Sequence, residues 1–114
     1  MDIQAIPKVK CIIGMIYSSG SDLNLCLKHL EKVFGPIDEL SDEYLFDVTQ
    51  YYENEMGKDL KRKFISFMKL IEPQQISEIK RLSNIIEIEY STKDNRSINL
   101  DPGYLDMDKF VLGV

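Results

Sequence analysis

The chain has 114 residues, of which 44% are hydrophobic and 29% charged, the balance of an ordinary globular protein that can form one core without disulfide or metal staples. Fourteen Lys and Arg stand against 19 Asp and Glu, and the formal charge of −5 would repel a phosphate backbone from most of the surface, which argues against nucleic acid as a partner. No apolar stretch approaches the ~20 residues of a membrane span, and the N-terminus, with Asp2 and Pro7, lacks a signal-peptide layout. The expectation is a single α/β domain over residues 1–114, cytoplasmic, with no membrane partner. Cys11 and Cys26 lie in apolar surroundings and read as small buried hydrophobes, not as a disulfide.

In chain order, Val9 to Tyr17 is nearly continuously apolar and rich in Ile, which predicts a strand covered on both faces. Ser18, Ser19, Gly20 and Ser21 form a turn, with Ser21 placed to cap a helix. Leu23, Cys26, Leu27, Leu30, Val33 and Phe34 follow the three-four spacing of one buried stripe, and Gly35 with Pro36 stops the helix. Tyr44, Phe46 and Val48 alternate with polar residues as in a second strand. Lys63 to Ile71 predicts a third, the intervening YYENEMGKDL being a loop or bulge. Pro73 suits the first turn of a second helix, whose buried face is Ile76, Ile79, Leu82, Ser83, Ile86 and Tyr90. Ile86, Ile88 and Tyr90 also alternate as a strand would, but the helical reading is kept. Ser91 to Ser97 is a loop, Ile98 to Leu100 a short fourth strand, and Leu105 to Leu112 a final turn or short helix. The order β-α-β-β-α-β predicts an α+β ferredoxin-like split βαβ sandwich, two helices on one face of a mainly antiparallel sheet. A small parallel α/β sheet is the alternative.

Functional side chains concentrate in two stretches. Tyr51, Tyr52, Glu53 and Glu55 put phenols and carboxylates between strands, where loops carry function, although no metal-ligand spacing is matched. Asn99, Asp101 and Tyr104 frame Pro102-Gly103, the requirement of a type II turn, which would aim Asn99 and Asp101 into a cleft. Lys58, Lys61, Arg62 and Lys63 form a short basic cluster able to hold one phosphate or carboxylate, and otherwise a solvated run. Lys80, Asn84 and Glu87 share a stripe at the border of the second helix. His29, the one histidine, matches no nucleophile partner, and phosphate-loop and dinucleotide glycine patterns are missing, so neither a catalytic residue nor a cofactor is assigned.

The strand KCIIGMIYS from Lys10, FGPID from Phe34, YYENEMG from Tyr51, KRKFISF, LIEP, Ile79-Lys80 and NLDPGY from Asn99 together resemble an uncharacterised prokaryotic family, domain-of-unknown-function family 4416. The resemblance spans most of the chain and implies no reaction. Members typically continue well past the position of Val111-Leu112 through a segment that looks like a strand pair. The resemblance therefore implies a shortened relative or a fragment, with a sheet edge open to self-pairing.

Two functions follow as expectations. The first is a ligand-binding module in which Tyr51, Tyr52, Glu53, Glu55, Lys61 or Arg62, and the Asn99–Tyr104 turn converge on a small anionic or metal-bridged molecule, with Lys80 and Asn84 nearby. The alternative is a non-catalytic interaction or structural module, homodimeric through an exposed sheet edge.

Overall fold

The computed structural model describes residues 7–45, 60–90, 98–105 and, for the backbone alone, 110–112. Strand β1 spans Lys10–Tyr17, helix α1 Leu23–Phe34, β2 Ile37–Leu40, β3 Tyr44–Leu45 and β4 Lys61–Phe67. A single 3₁₀ turn at Pro73–Gln75 leads into α2, Ile76–Glu89, followed by β5, Ile98–Leu105, and β6, Phe110–Leu112. The sheet order is β2-β4-β1-β5-β6, with β3 also paired to β4. Every pairing among these strands is antiparallel, so the parallel alternative is discarded. The α+β class with two helices is present, but the sheet has six strands where four were expected, and its order differs in detail.

Alternation along the strands explains the layering. Cys11, Ile13, Met15 and Tyr17 of β1 turn to one face and join Ile65 and Phe67 of β4 and Ile98 and Leu100 of β5 in a single buried cluster. Cys26 and Leu30 of α1 and Ile79 and Ile86 of α2 complete that cluster, so both helices cover the same face. Among the described residues no helix is long and apolar enough to cross a membrane.

Local differences from the expected elements have identifiable causes. Helix α1 is capped by Asp22, not Ser21: the Asp22 carboxylate accepts from Leu25 N–H at 3.1 Å, while the Ser21 hydroxyl meets that of Ser18. Gly35 ends the helix at φ 95°, which a residue with a Cβ rarely adopts, and its N–H donates to the Glu31 carbonyl. Val33, expected to be buried, is 41% exposed. The third strand stops at Phe67, because the next partner on the β2 side is Pro36: Met68 N–H donates to its carbonyl, but a proline has no N–H to return. Met68 and Leu70 are consequently exposed, and Ile71 returns only as an isolated bridge to Val9. The second strand begins as expected at Tyr44 and is described as far as Leu45; Phe46 and Val48 lie outside the described residues.

The largest correction concerns NLDPGY. It is not a turn but the middle of β5, an eight-residue strand paired with β1 along its whole length. Gly103 does not take a positive φ, which a type II turn at Pro102-Gly103 would require. A proline in a sheet must direct its nitrogen where no partner needs a donor. Leu100 N–H faces away from β1 toward α2, so by strand alternation the Pro102 nitrogen also faces away from β1. On that side, among the described residues, the β6 ladder begins at Gly103. The segment from Leu105 to Leu112, expected as a turn or short helix, instead supplies β6, antiparallel to β5.

Candidate functional site

Several of the expected site residues share the face of the sheet that neither helix covers. Gly14 of β1 pairs with Phe64 of β4 on one side and with Asp101 of β5 on the other; Ile16 pairs likewise with Arg62 and Asn99. Residues in register share a face, so Arg62, Phe64, Asn99 and Asp101 stand on the same side, opposite the core. Gly14 matters here because it lacks a side chain. A Cβ at that position would lie 3.3 Å from Phe64 Cε1 and 3.6 Å from Arg62 Nη2, so the phenyl ring and the guanidinium occupy the space left by the glycine. The Arg62 guanidinium carbon sits 4.8 Å from the Phe64 ring centre, a stacked cation-on-ring contact. Phe64 also lines a neighbouring cavity of about 450 Å³ with Ile12, Leu40, Asp38 and Ser66. Within it Asp38 accepts from Lys10 and from the Ser66 hydroxyl, and these partners hold its carboxyl below the usual range.

The helix-border stripe proves to be the outer rail of β5. Lys80 Nζ lies 3.3 Å from Asp101 Oδ1, and Glu87 Oε2 accepts from Leu100 N–H at 2.6 Å, occupying an edge donor that β6 does not reach. Asn84, between them on the helix, is exposed. Burial raises the Glu87 carboxyl above its ordinary value, against the Leu100 hydrogen bond and Lys80, which favour the charged form; Asp101 adds to the rise. A raised carboxyl contributes stability that is fully present below its unfolded-state value and is lost as pH climbs through the folded-state value. Glu87→Gln keeps an acceptor for Leu100 without a buried charge. The variant is therefore expected to melt higher than the parent at pH 7, with the gap closing as pH falls into the carboxylate range. Thermal melts between pH 4 and 8 would show this, and a gap constant with pH would contradict it.

Lys61 and Arg62, read as interchangeable, are neighbours on a strand and face opposite ways. Lys61 turns to the helix side, where it lies 3.3 Å from Glu43, and Glu43 also accepts from the Tyr17 hydroxyl. Burial first, and then the Glu43 hydrogen bond and charge, push the Tyr17 phenol well up, while Tyr17 and then Lys61 hold the Glu43 carboxyl down. This group lines a cavity of about 330 Å³ with the turn from Ser18 to Asp22 and the first two residues of α1. Tyr104 belongs to neither cluster: its β1 partner is Cys11, six residues along from Tyr17. Tyr51, Tyr52, Glu53 and Glu55 lie outside the described residues.

The two thiols are buried and free, and burial pushes Cys11 up to about 11 and Cys26 up to about 12, the latter helped by Asp22 and Glu87, so both are unreactive thiols at neutral pH. His29 Nδ1 lies 3.5 Å from Glu89 and 3.5 Å from the Tyr90 hydroxyl, with no nucleophile partner among the described residues. Among those residues no group of three or more His, Cys, Asp and Glu is placed to hold a metal ion.

Gly14, Phe64, Tyr17 and Glu43 are candidate-site positions that the motifs of the chain do not mark. For Gly14 a signal existed: a glycine in the interior of an otherwise branched apolar strand marks a close approach by something else. Glu43, in a polar connection, offered none.

Compared with known proteins, the chain matches the family model described as Domain of unknown function (DUF4416) over residues 7–114. No curated protein and no solved structure matches it.

Proposed function

Because the chain belongs to the family described as Domain of unknown function (DUF4416), a description that states no activity, we propose from its geometry that it binds a small anionic molecule on the helix-free face around Gly14. The observation that carries the reading is the guanidinium of Arg62 stacked on Phe64 across a strand position kept empty by Gly14. A planar guanidinium supported on a ring is preorganised for bidentate contact with a carboxylate or phosphate. Asn99 adds an amide from β5, and the apolar floor at Ile12 and Phe64 suits the body of a ligand whose anionic end meets Arg62. Asp101 is held by Lys80, so it acts in this reading as a wall that sets register and repels a second negative charge.

The finer fold reading accompanies it. We read β2-β4-β1-β5, each pair antiparallel and joined through two helices on one face, as a ferredoxin-like split βαβ core to which β3 and β6 are additions. Self-pairing through a sheet edge has less in its favour. The β2 edge is four residues long, carries Asp38 and Glu39 and has an irregular register, all features that discourage a further strand.

Amide chemical-shift titration with benzoate and with inorganic phosphate tests the binding reading. Shifts should centre on Gly14, Phe64 and Asn99, and Arg62→Gln should weaken binding about ten- to a hundredfold, as expected for losing a charged hydrogen-bond donor. Shifts centred elsewhere, or an affinity indifferent to Arg62→Gln, would refute it.

A further inference from the structure

We infer that the outer surface of the two-helix layer is the contact face of a weak two-fold homodimer. The side chains there are of the wrong kind for a merely wet surface: Leu25 is 53% exposed on α1, and Ile85 and Ile88 are 47% and 73% exposed on α2. These residues are apolar and exposed on both helices, and charge settles what covers them. The α1 side is basic, with Lys28, His29 and Lys32 lining one shallow groove with Leu25 and Tyr90. The α2 side is acidic at the same height: Glu89 stands beside His29, the last turn of α2 carries no basic residue, and its C-terminal carbonyls add the negative end of the helix dipole. Arg81, further back on α2, is already bound by Glu78 in a two-bond contact.

This pattern complements itself about a two-fold axis. Each helix turns back from its strand, and β1 and β4 are antiparallel, so α1 and α2 run antiparallel side by side. A two-fold axis lying between the helices and along them exchanges left for right and keeps height. It therefore sets the basic α1 of one protomer over the acidic end of α2 in its partner, twice, and brings Leu25 toward the partner's Ile88. An isologous interface needs this kind of self-complementarity. The layer is about 18 Å long and about 20 Å wide, from a 12-residue helix beside its neighbour. That is less than the ~800 Å² a standard interface takes from each partner. Association is accordingly weak, in the micromolar range or above, and sensitive to salt because the pairs are exposed.

Sedimentation velocity across a concentration series tests the inference with charge reversal. The parent should show a reversible monomer–dimer equilibrium. Raising salt from about 0.05 M to about 0.5 M, which shortens the screening length about threefold, should weaken it several-fold. Lys28→Glu with Lys32→Glu in one protein, and Glu89→Lys in another, should each be monomeric and stay folded, with melting temperatures within a few degrees of the parent, since all three side chains lie on the surface. An equimolar mixture of the two should associate again, because each reversed α1 then faces a reversed α2. A parent that stays monomeric at millimolar concentration, a dimer indifferent to both reversals, or a mixture that fails to associate would overturn the inference. None of these readouts depends on the anion proposed for the opposite face.

Discussion

Replacing Phe67 with alanine is expected to lower stability by about 3–5 kcal/mol, the range for deleting a buried ring, out of the ~5–15 kcal/mol typical of a whole domain. Phe67 is 1% exposed at the end of β4, inside the cluster that joins the sheet to both helices. Its ring meets Phe34 of α1 edge-on, with centroids 5.7 Å apart and planes at 65°, so truncation also strips the helix end of its aromatic partner. The cost depends on whether the surroundings can collapse into the void. Here they are pinned, because Met68 N–H, one residue on, is bonded to the Pro36 carbonyl, and Ile37 pairs with Phe67 itself. Urea unfolding followed by circular dichroism should show a lower midpoint with an unchanged slope. Phe67→Leu, which keeps most of the apolar volume, should lose markedly less. A loss below about 1.5 kcal/mol for the alanine variant would mean that the site relaxes, and that the core lies elsewhere than described.

The features legible in the chain were those that depend on local periodicity. The apolar run of β1 and the stripes of both helices identify their elements because each side chain's environment is set by its own neighbours along the chain. The rival strand reading of Ile86, Ile88 and Tyr90 fails for the same reason: Ile86 is 2% exposed and Ile88 73%, so the two point in opposite directions, as helical geometry requires. Composition misled at Lys63 to Ile71, where Met68 and Leu70 look like core and are not. The Pro-Gly pair misled because its local grammar is that of a turn, while pairing with β1 over eight residues outweighs a dipeptide preference. The placing of Arg62, Asn99 and Asp101 on one face was illegible in principle. It depends on which residues of β4 and β5 fall opposite Gly14 and Ile16, and a slip of one residue would send Arg62 to the core and bring Lys61 outward. The Tyr17–Glu43 contact is of the same long-range kind.

Gly14→Val should carry the second largest effect, and its sign discriminates. Valine is favoured over glycine in a central strand by both propensity and backbone entropy, so at an empty position the substitution would stabilise by up to about 1 kcal/mol. At Gly14 the position is filled from outside. The added Cβ meets Phe64 Cε1 at 3.3 Å and Arg62 Nη2 at 3.6 Å, and valine brings two further methyl groups into the same crowded space. Overpacking of this kind costs about 1–3 kcal/mol, and it also lifts the guanidinium off its ring, so the affinity for benzoate or phosphate should fall together with stability. The contact is isolated by a double-mutant cycle with Phe64→Ala. Once the ring is removed the valine has room, and Gly14→Val should turn neutral or stabilising, giving a coupling energy of about 1–3 kcal/mol between the two positions. Equilibrium unfolding of the four proteins measures it. Additive effects would mean that Gly14 is a glycine for some reason other than the ring and the guanidinium, and the proposed anion site would lose the feature that organises it.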